Sequence, residues 1–238
     1  MKRIQDSTLF KALMRLVQHV PFRQAPFVYV ALGDSTVEGV GASQLSRTYA
    51  SLIYADLSLS FKGATHYNLG KSGARASDVL EGQLQQAIAV NPDLITLSVG
   101  ANDILRHSSL GAFRRNLTHI VESLRANTHA IIAITNIPNF SLLRVIPPPM
   151  KPLAKLRIQR FNAAVLRIAK KYDLVHVDAY RQTTVFVRQF PGEVIYKDGF
   201  HPSDFGYALW ANAILMALHD KLELLKRSGR IQRPHTAS

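Results

Sequence analysis

The sequence predicts an α/β fold, an open parallel sheet of five strands with helices on both sides. Three observations carry this reading. Apolar runs rich in β-branched residues recur at 27–32, 94–99 and 129–137, with shorter strand candidates at 66–69 and 174–177. Longer stretches with apolar residues at helical spacing separate them, and parallel strands need such helix-length crossovers. The chain has 238 residues, 47% of them hydrophobic and 19% charged, which suits one domain with a full core.

The elements follow in order. Residues 4–20 place Leu9, Leu13, Leu16, Val17 and Val20 at helical spacing with basic residues between, an amphipathic helix. Its basic opening is like that of a signal peptide. Asp6, Lys11 and Arg15 interrupt the would-be apolar core, and no small-residue cleavage site follows, so it reads as part of the mature protein. The run 27–32 reads as the central strand, buried on both faces. Thr48–Phe61 reads as a helix. Ser77 is the expected N-cap of a helix reaching Val90, with Glu81 in its first turn. Asn91-Pro92-Asp93 stops it. Residues 110–126 read as helical, and the proline run at 146–150 breaks the chain. A long helix follows, with Ile158, Phe161, Val165 and Ile168 on one face. Residues 203–227 form the last helix, with Ser203 as its N-cap. The tail rich in basic residues is expected to fray.

Cysteine is absent, which excludes disulfides, thiolate metal sites and a cysteine nucleophile. No apolar stretch reaches the roughly 18 residues of a membrane-spanning helix. The formal net charge is +13, spread over both termini and the body of the chain. Arg144 to Lys171 holds eight basic residues and no acidic one. Such surfaces suit anionic lipid or nucleic acid, or serve as solvated faces that aid solubility.

In open parallel sheets ligands bind beyond the carboxyl ends of the strands. There the sequence places Gly33-Asp34-Ser35, then Gly70-Lys71-Ser72-Gly73, then Gly100-Ala101-Asn102-Asp103, and, after the fifth strand and a loop, Asp198-Gly199-Phe200-His201-Pro202. Serine is a poor nucleophile until a base takes its proton. His201 is the best base candidate, and a tight turn can fold Asp198 back onto its Nδ1. Asn102 offers a side-chain N–H, and the backbone N–H groups of Ser35 and Gly73 can join it as an oxyanion hole. Asp34 reads as a brace for the loop, and Asp103 as a cap of the next segment. Lys71 and Arg75 flank Gly73 and read as solvated. The histidines lack metal-site spacing.

These four blocks resemble those of the SGNH hydrolases, also called GDSL esterases and lipases. The resemblance spans Phe27 to about Trp210 with the blocks in the family's order. It implies a flavodoxin-like three-layer α/β/α sandwich and a serine esterase or lipase working through an acyl-enzyme intermediate. It further implies Ser35 as nucleophile, His201 as base, Asp198 as its orienting partner, and Ser35, Gly73 and Asn102 as the oxyanion hole, with no cofactor and no metal. Thr36-Val37 depart from the Leu-Thr common in the family, and residues 140–152 match nothing in its pattern. The expected organisation is an N-terminal amphipathic basic helix at 1–25, the hydrolase domain at 26–226 and a basic tail at 227–238. An acyl thioesterase, a lysophospholipase and a carbohydrate deacetylase are alternatives within the family. A basic module that binds nucleic acid or a membrane surface is the alternative outside enzymes. The expected partners are a small-molecule or lipid ester and an anionic membrane surface, with nucleic acid disfavoured. The expected location is cytoplasmic, with peripheral membrane attachment as the variant. Nothing in the pattern fixes the oligomeric state.

Overall fold

A computed structural model describes residues 26–190 and 192–228. The expected N-terminal helix lies outside the described residues. So does the expected tail, apart from Arg227 and Ser228, which end the last helix.

Five parallel strands, β1 (Val28–Gly33), β2 (Thr65–Asn68), β3 (Leu94–Ser98), β4 (Ile131–Thr135) and β5 (Val175–Val177), pair in the order β2-β1-β3-β4-β5. The middle strand is therefore β3, not the first run as expected, although β1 has a neighbour on each side. Every residue of β1 and β3 is buried. The pleat sends alternate residues to opposite faces. Val28, Val30 and Leu32 join Ile95, Leu97, Ile132 and Ile134 in one core, while Tyr29 and Ala31 join Leu94, Ala133 and Val177 in the other.

Nine helices are described: α1 (Ser35–Glu38), α2 (Tyr49–Ser60), α3 (Ala76–Gly82), α4 (Leu84–Ala89), α5 (Ala101–Leu105), α6 (Leu110–Asn127), α7 (Lys151–Lys171), α8 (Ala179–Gln189) and α9 (Asp204–Ser228). The first core packs against α3, α4, α6 and α7, and the second against α2 and α9, which completes three layers. On α6 the buried Phe113, Leu117, Ile120, Val121 and Leu124 form one stripe, and the Ser109 hydroxyl caps its start by accepting from the Ala112 N–H at 3.1 Å. On α7 the expected Ile158, Phe161, Val165 and Ile168 are all buried.

Three local expectations change. Ser77 lies inside α3 and does not cap it. The first free N–H groups go instead to carboxylates, Arg75 N to Asp78 at 2.8 Å and Ala76 N to Asp103 at 2.9 Å. Asp103 thus caps a neighbouring helix from across the site. The single helix expected to Val90 divides at Gln83, whose side chain leaves the helix to bond strand β1. The stretch expected as a loop after β5 contains α8. Its Thr183, Thr184, Val185 and Val187 are weak helix formers, and the Asp178 carboxylate starts it by accepting from Arg181 N at 3.1 Å.

On β2, His66 stands opposite Tyr29 and stacks on it with ring centroids 4.9 Å apart, with Tyr54 on its other side at 5.5 Å. Among the described residues its buried Nε2 has no hydrogen-bond partner. Burial lowers its pKa to about 4 from the ordinary 6.5. Below about pH 6.5 the unfolded chain binds a proton that the folded ring refuses, so this group's stability contribution is lost as pH falls from 6.5 towards 4. It accounts for a loss of about 2 kcal/mol between pH 7 and pH 5. Urea unfolding at both pH values is expected to show that His66→Phe removes this share of the pH dependence. An unchanged pH dependence in the variant would contradict the assignment.

Candidate active site

The strand order reverses direction after β2, because the chain returns across β1 to build β3. The carboxyl ends of β1 and β3 therefore form the switch point where such sheets open a crevice. Gly33 ends β1 at φ +147°, where a Cβ would lie 1.9 Å from the Ser98 carbonyl oxygen. Only glycine lets the chain turn this close to β3. Gln83 fixes the turn: its Oε1 accepts from Gly33 N at 2.8 Å and its Nε2 donates to Gly33 O at 2.8 Å.

The turn delivers Asp34 as the N-cap of α1 and Ser35 as that helix's first residue. Asp34 is buried, and its Oδ1 accepts from the Thr36 N–H at 3.0 Å and the Thr36 hydroxyl at 2.8 Å. Burial raises its pKa, against these two bonds and the nearby His201. Asp34 braces the loop, as expected. The departure at Thr36 supplies a hydroxyl to that brace, which leucine lacks.

From the far end of the chain, Ile195 and Pro202 form an antiparallel bridge, and Tyr196 N donates to His201 O at 2.8 Å. The tight turn between them folds Asp198 onto His201. Asp198 Oδ1 accepts from the N–H groups of Phe200 and His201 at 2.9 and 3.0 Å, and its Oδ2 lies 2.7 Å from His201 Nδ1. Partial burial raises the carboxyl pKa, but the Phe200 N–H, the His201 ring and the His201 N–H outweigh it and hold the group below its ordinary value. His201 Nε2 lies 2.9 Å from Ser35 Oγ. Ser35 and the distant pair His201 and Asp198 thus form one hydrogen-bonded chain.

The loop after β2 is tied to the same helix. Asn68 Nδ2 donates to Val37 O at 2.7 Å, Lys71 N to Gly33 O at 3.1 Å, and Ser72 N to the Glu38 carboxylate at 2.7 Å, with the Ser72 hydroxyl on the same carboxylate oxygen. Asn102 Nδ2 donates to Ala74 O at 3.2 Å, which joins α5 to the residue after Gly73 and leaves its second amide hydrogen over. Among the described residues, the Ser35 and Gly73 N–H groups donate no hydrogen bond. Arg75 pairs with Asp78 at 3.4 Å, while the Arg106 guanidinium covers Gly73. Among the described residues no group of side chains is arranged to hold a metal ion.

Beside this edge lies an apolar cavity of about 80 Å³. Its walls include Phe140, Leu143, Phe186 and Val187, and it reaches Asp34 and Thr36 beside Ser35, Ala101 beside Asn102, and Phe200 and Pro202 beside His201. A wider polar groove of about 720 Å³ runs on the Gly73 side, past Lys71 and Arg106. Sequence reasoning did not find Gln83, Glu38 or the α8 wall of the cavity. Asp178 ahead of α8 was the one available signal, whereas Gln83 and Glu38 act across long sequence separations.

Residues 31–209 match the model of the GDSL-like lipase/acylhydrolase family. The chain belongs to that family. It is similar to a curated relative, a GDSL-like esterase of Mycobacterium tuberculosis, at 28% identity over 204 residues, covering 84% of this chain. The match spans 65% of that relative's length. Among solved structures it resembles the lipase/acylhydrolase of Enterococcus faecalis, with a TM-score of 0.66 at 22% identity, over 82% of this chain and 96% of the other. It also resembles the acetylxylan esterase Axe2 of Geobacillus stearothermophilus, with a TM-score of 0.67 at 17% identity, over 82% and 94% of the two chains. These two likenesses concern the fold. The three-layer sandwich described above is shared with these structures, and the family is one of lipases and acylhydrolases.

The Gln83 clamp generates a stability prediction. Gln83→Ala leaves the buried Gly33 N–H without an acceptor and opens a small void, while Gly33 O keeps Lys71 N. The expected cost is about 2–3 kcal/mol in chemical denaturation. A cost under about 0.5 kcal/mol, the scale of an ordinary surface change, would show that the clamp does not hold the turn.

Proposed function

We propose that this chain is a serine esterase that hydrolyses carboxylic esters through an acyl-enzyme intermediate. The observation that carries the reading is the chain Ser35 Oγ, His201 Nε2, His201 Nδ1, Asp198 Oδ2, with its links of 2.9 and 2.7 Å. Family membership supports it.

In this reading Ser35 Oγ attacks the ester carbonyl carbon and its proton passes to His201 Nε2. Asp198 holds the Nδ1–H, fixes the ring's tautomer and stabilises its protonated form. The carbonyl oxygen, now negative, accepts hydrogen bonds from the Ser35 and Gly73 N–H groups and the spare Asn102 amide hydrogen. The tetrahedral intermediate collapses, the C–O bond to the alcohol breaks, and the leaving oxygen takes the proton from Nε2. Water then gives a proton to Nε2 and attacks the acyl-serine carbonyl. Ser35 leaves with that proton, and the carboxylic acid is released.

The cavity is the natural seat of the acyl group. An apolar cavity of about 150 Å³ is large enough for benzene, so about 80 Å³ suits an acyl group of roughly two to four carbons. The polar groove past Lys71 and Arg106 suits a hydrated alcohol. The small cavity also favours a deacetylase reading over one with a long-chain thioester. Acetylxylan is what the Geobacillus neighbour acts on, and a sugar alcohol fits the polar groove.

Ser35→Ala is expected to abolish p-nitrophenyl acetate hydrolysis while thermal unfolding stays unchanged. Turnover by the folded variant at the original rate would overturn the reading. Across p-nitrophenyl acetate, butyrate and octanoate, kcat/KM is expected to fall by about tenfold or more beyond butyrate, and Val187→Trp is expected to penalise butyrate more than acetate. A maximum at octanoate would contradict the size argument. Glu38→Ala frees the loop bearing Gly73 and is expected to lower kcat by about ten- to a hundredfold with little change in KM. An unchanged kcat would show that Glu38 does not position the oxyanion hole.

A further inference from the structure

The segment from Arg144 into the first turns of α7 leaves several apolar side chains exposed. Val145, Met150, Leu153 and Leu156 are 45, 49, 51 and 45% exposed, and Pro147, Pro148 and Pro149 beside them are exposed too. Isolated exposed apolar residues need no explanation, but these lie within one stretch of chain. The turn Pro148–Met150 is stiffened by its prolines, so it presents Met150 with little ordering cost.

Along α7, Leu153, Leu156, Arg160 and Arg167 recur at helical spacing on the side opposite the buried stripe. Arg160 and Arg167 are exposed and make no hydrogen bond or ion pair among the described residues. No acidic residue occurs between Arg144 and Lys171. The face is apolar at its start and cationic further on. That pairing suits an anionic lipid surface, where leucine and methionine enter the acyl boundary and arginine meets phosphate. No described helix is long and apolar enough to cross a membrane.

The apolar end adjoins the site. Phe140 and Leu143 line the cavity, and the chain then runs directly into Arg144 and Val145. The Phe140 ring lies 6.0 Å from that of Phe200, and a Cβ on Gly199, in the turn between Asp198 and His201, would sit 2.9 Å from Val145 Cγ1. Arg157 donates to Ser108 O at 3.2 Å, which brings the turn with exposed Leu105 and Leu110 alongside.

We infer that the surface from Arg144 to Arg167 docks on anionic phospholipid and holds the mouth of the cavity against the membrane. Charge complementarity and continuity with the cavity wall argue for lipid over a second copy of the chain, because two such cationic faces repel each other. Resting on the proposed esterase reading, the surface would deliver esters carried at the membrane.

The test uses the full chain and sedimentation with phosphatidylcholine vesicles, with and without phosphatidylglycerol. The wild type is expected to bind only the anionic vesicles and to release as salt rises. Arg160→Ala with Arg167→Ala is expected to weaken binding about thirtyfold and flatten the salt dependence. Leu153→Glu with Leu156→Glu is expected to weaken it at least about tenfold at every salt concentration. Both variants are expected to keep wild-type p-nitrophenyl acetate turnover. Absence of wild-type binding would overturn the inference, as would variants that bind like wild type, which would place the affinity in the basic termini. A wild-type dimer that the leucine variant dissociates would assign the face to a second copy and also overturn it. The readout is binding, so these outcomes are independent of whether Ser35 is a nucleophile.

Discussion

The approach of Gly33 to the end of β3 is the constraint on which the site depends. A side chain at this position meets the Ser98 carbonyl at 1.9 Å, so the turn exists only for glycine. The turn is also buried, and its backbone groups cannot reach water. Gln83 meets that need from a helix that breaks to let it do so. Glycine at one position and glutamine fifty residues on thus place Ser35 at the switch point of the sheet.

Everything around Ser35 repeats this logic of tying loops through buried or short polar contacts. Asp34 and Thr36 close the start of α1, Glu38 and Asn68 bind the second loop to it, and Asn102 binds the third loop to the second. The donors proposed for the oxyanion are held before any substrate arrives, which is the condition under which such donors are most effective. His201 and Asp198 arrive on a separate hairpin, but their geometry is equally local. A three-residue turn suffices to give the carboxylate two backbone N–H groups and the ring. The alternation of firm ties and an open, apolar side is consistent with a site whose specificity lies in the cavity wall.

The parts legible in the sequence were those written in local periodicity or in short blocks. β1 announces itself as an unbroken apolar run and β3 as a mostly apolar one, and α6 and α7 as stripes of apolar residues at helical spacing. Ser35, Gly73, Asn102, Asp198 and His201 each stand in a block that follows a strand or a turn. Strand order was not legible, because the central place of β3 depends on which crossover doubles back, and nothing in a local pattern records that. The start of α3 was misread because an available serine looks like a cap, whereas the structure uses Asp78 and, from across the site, Asp103. α8 was missed because its β-branched residues speak against a helix and tertiary packing overrides them. Gln83 and Glu38 stayed hidden because each acts on a partner more than thirty residues away.

On the proposed function, Ser35 alone among the serines is activated, through His201. The most direct measurement is peptide mass mapping after brief exposure to a fluorophosphonate, a reagent that phosphonylates activated serines. A single adduct is expected on the peptide containing Ser35, its formation matching the loss of esterase activity and absent in His201→Ala. An adduct on another serine that tracks the loss of activity, or full activity with Ser35 quantitatively modified, would contradict it.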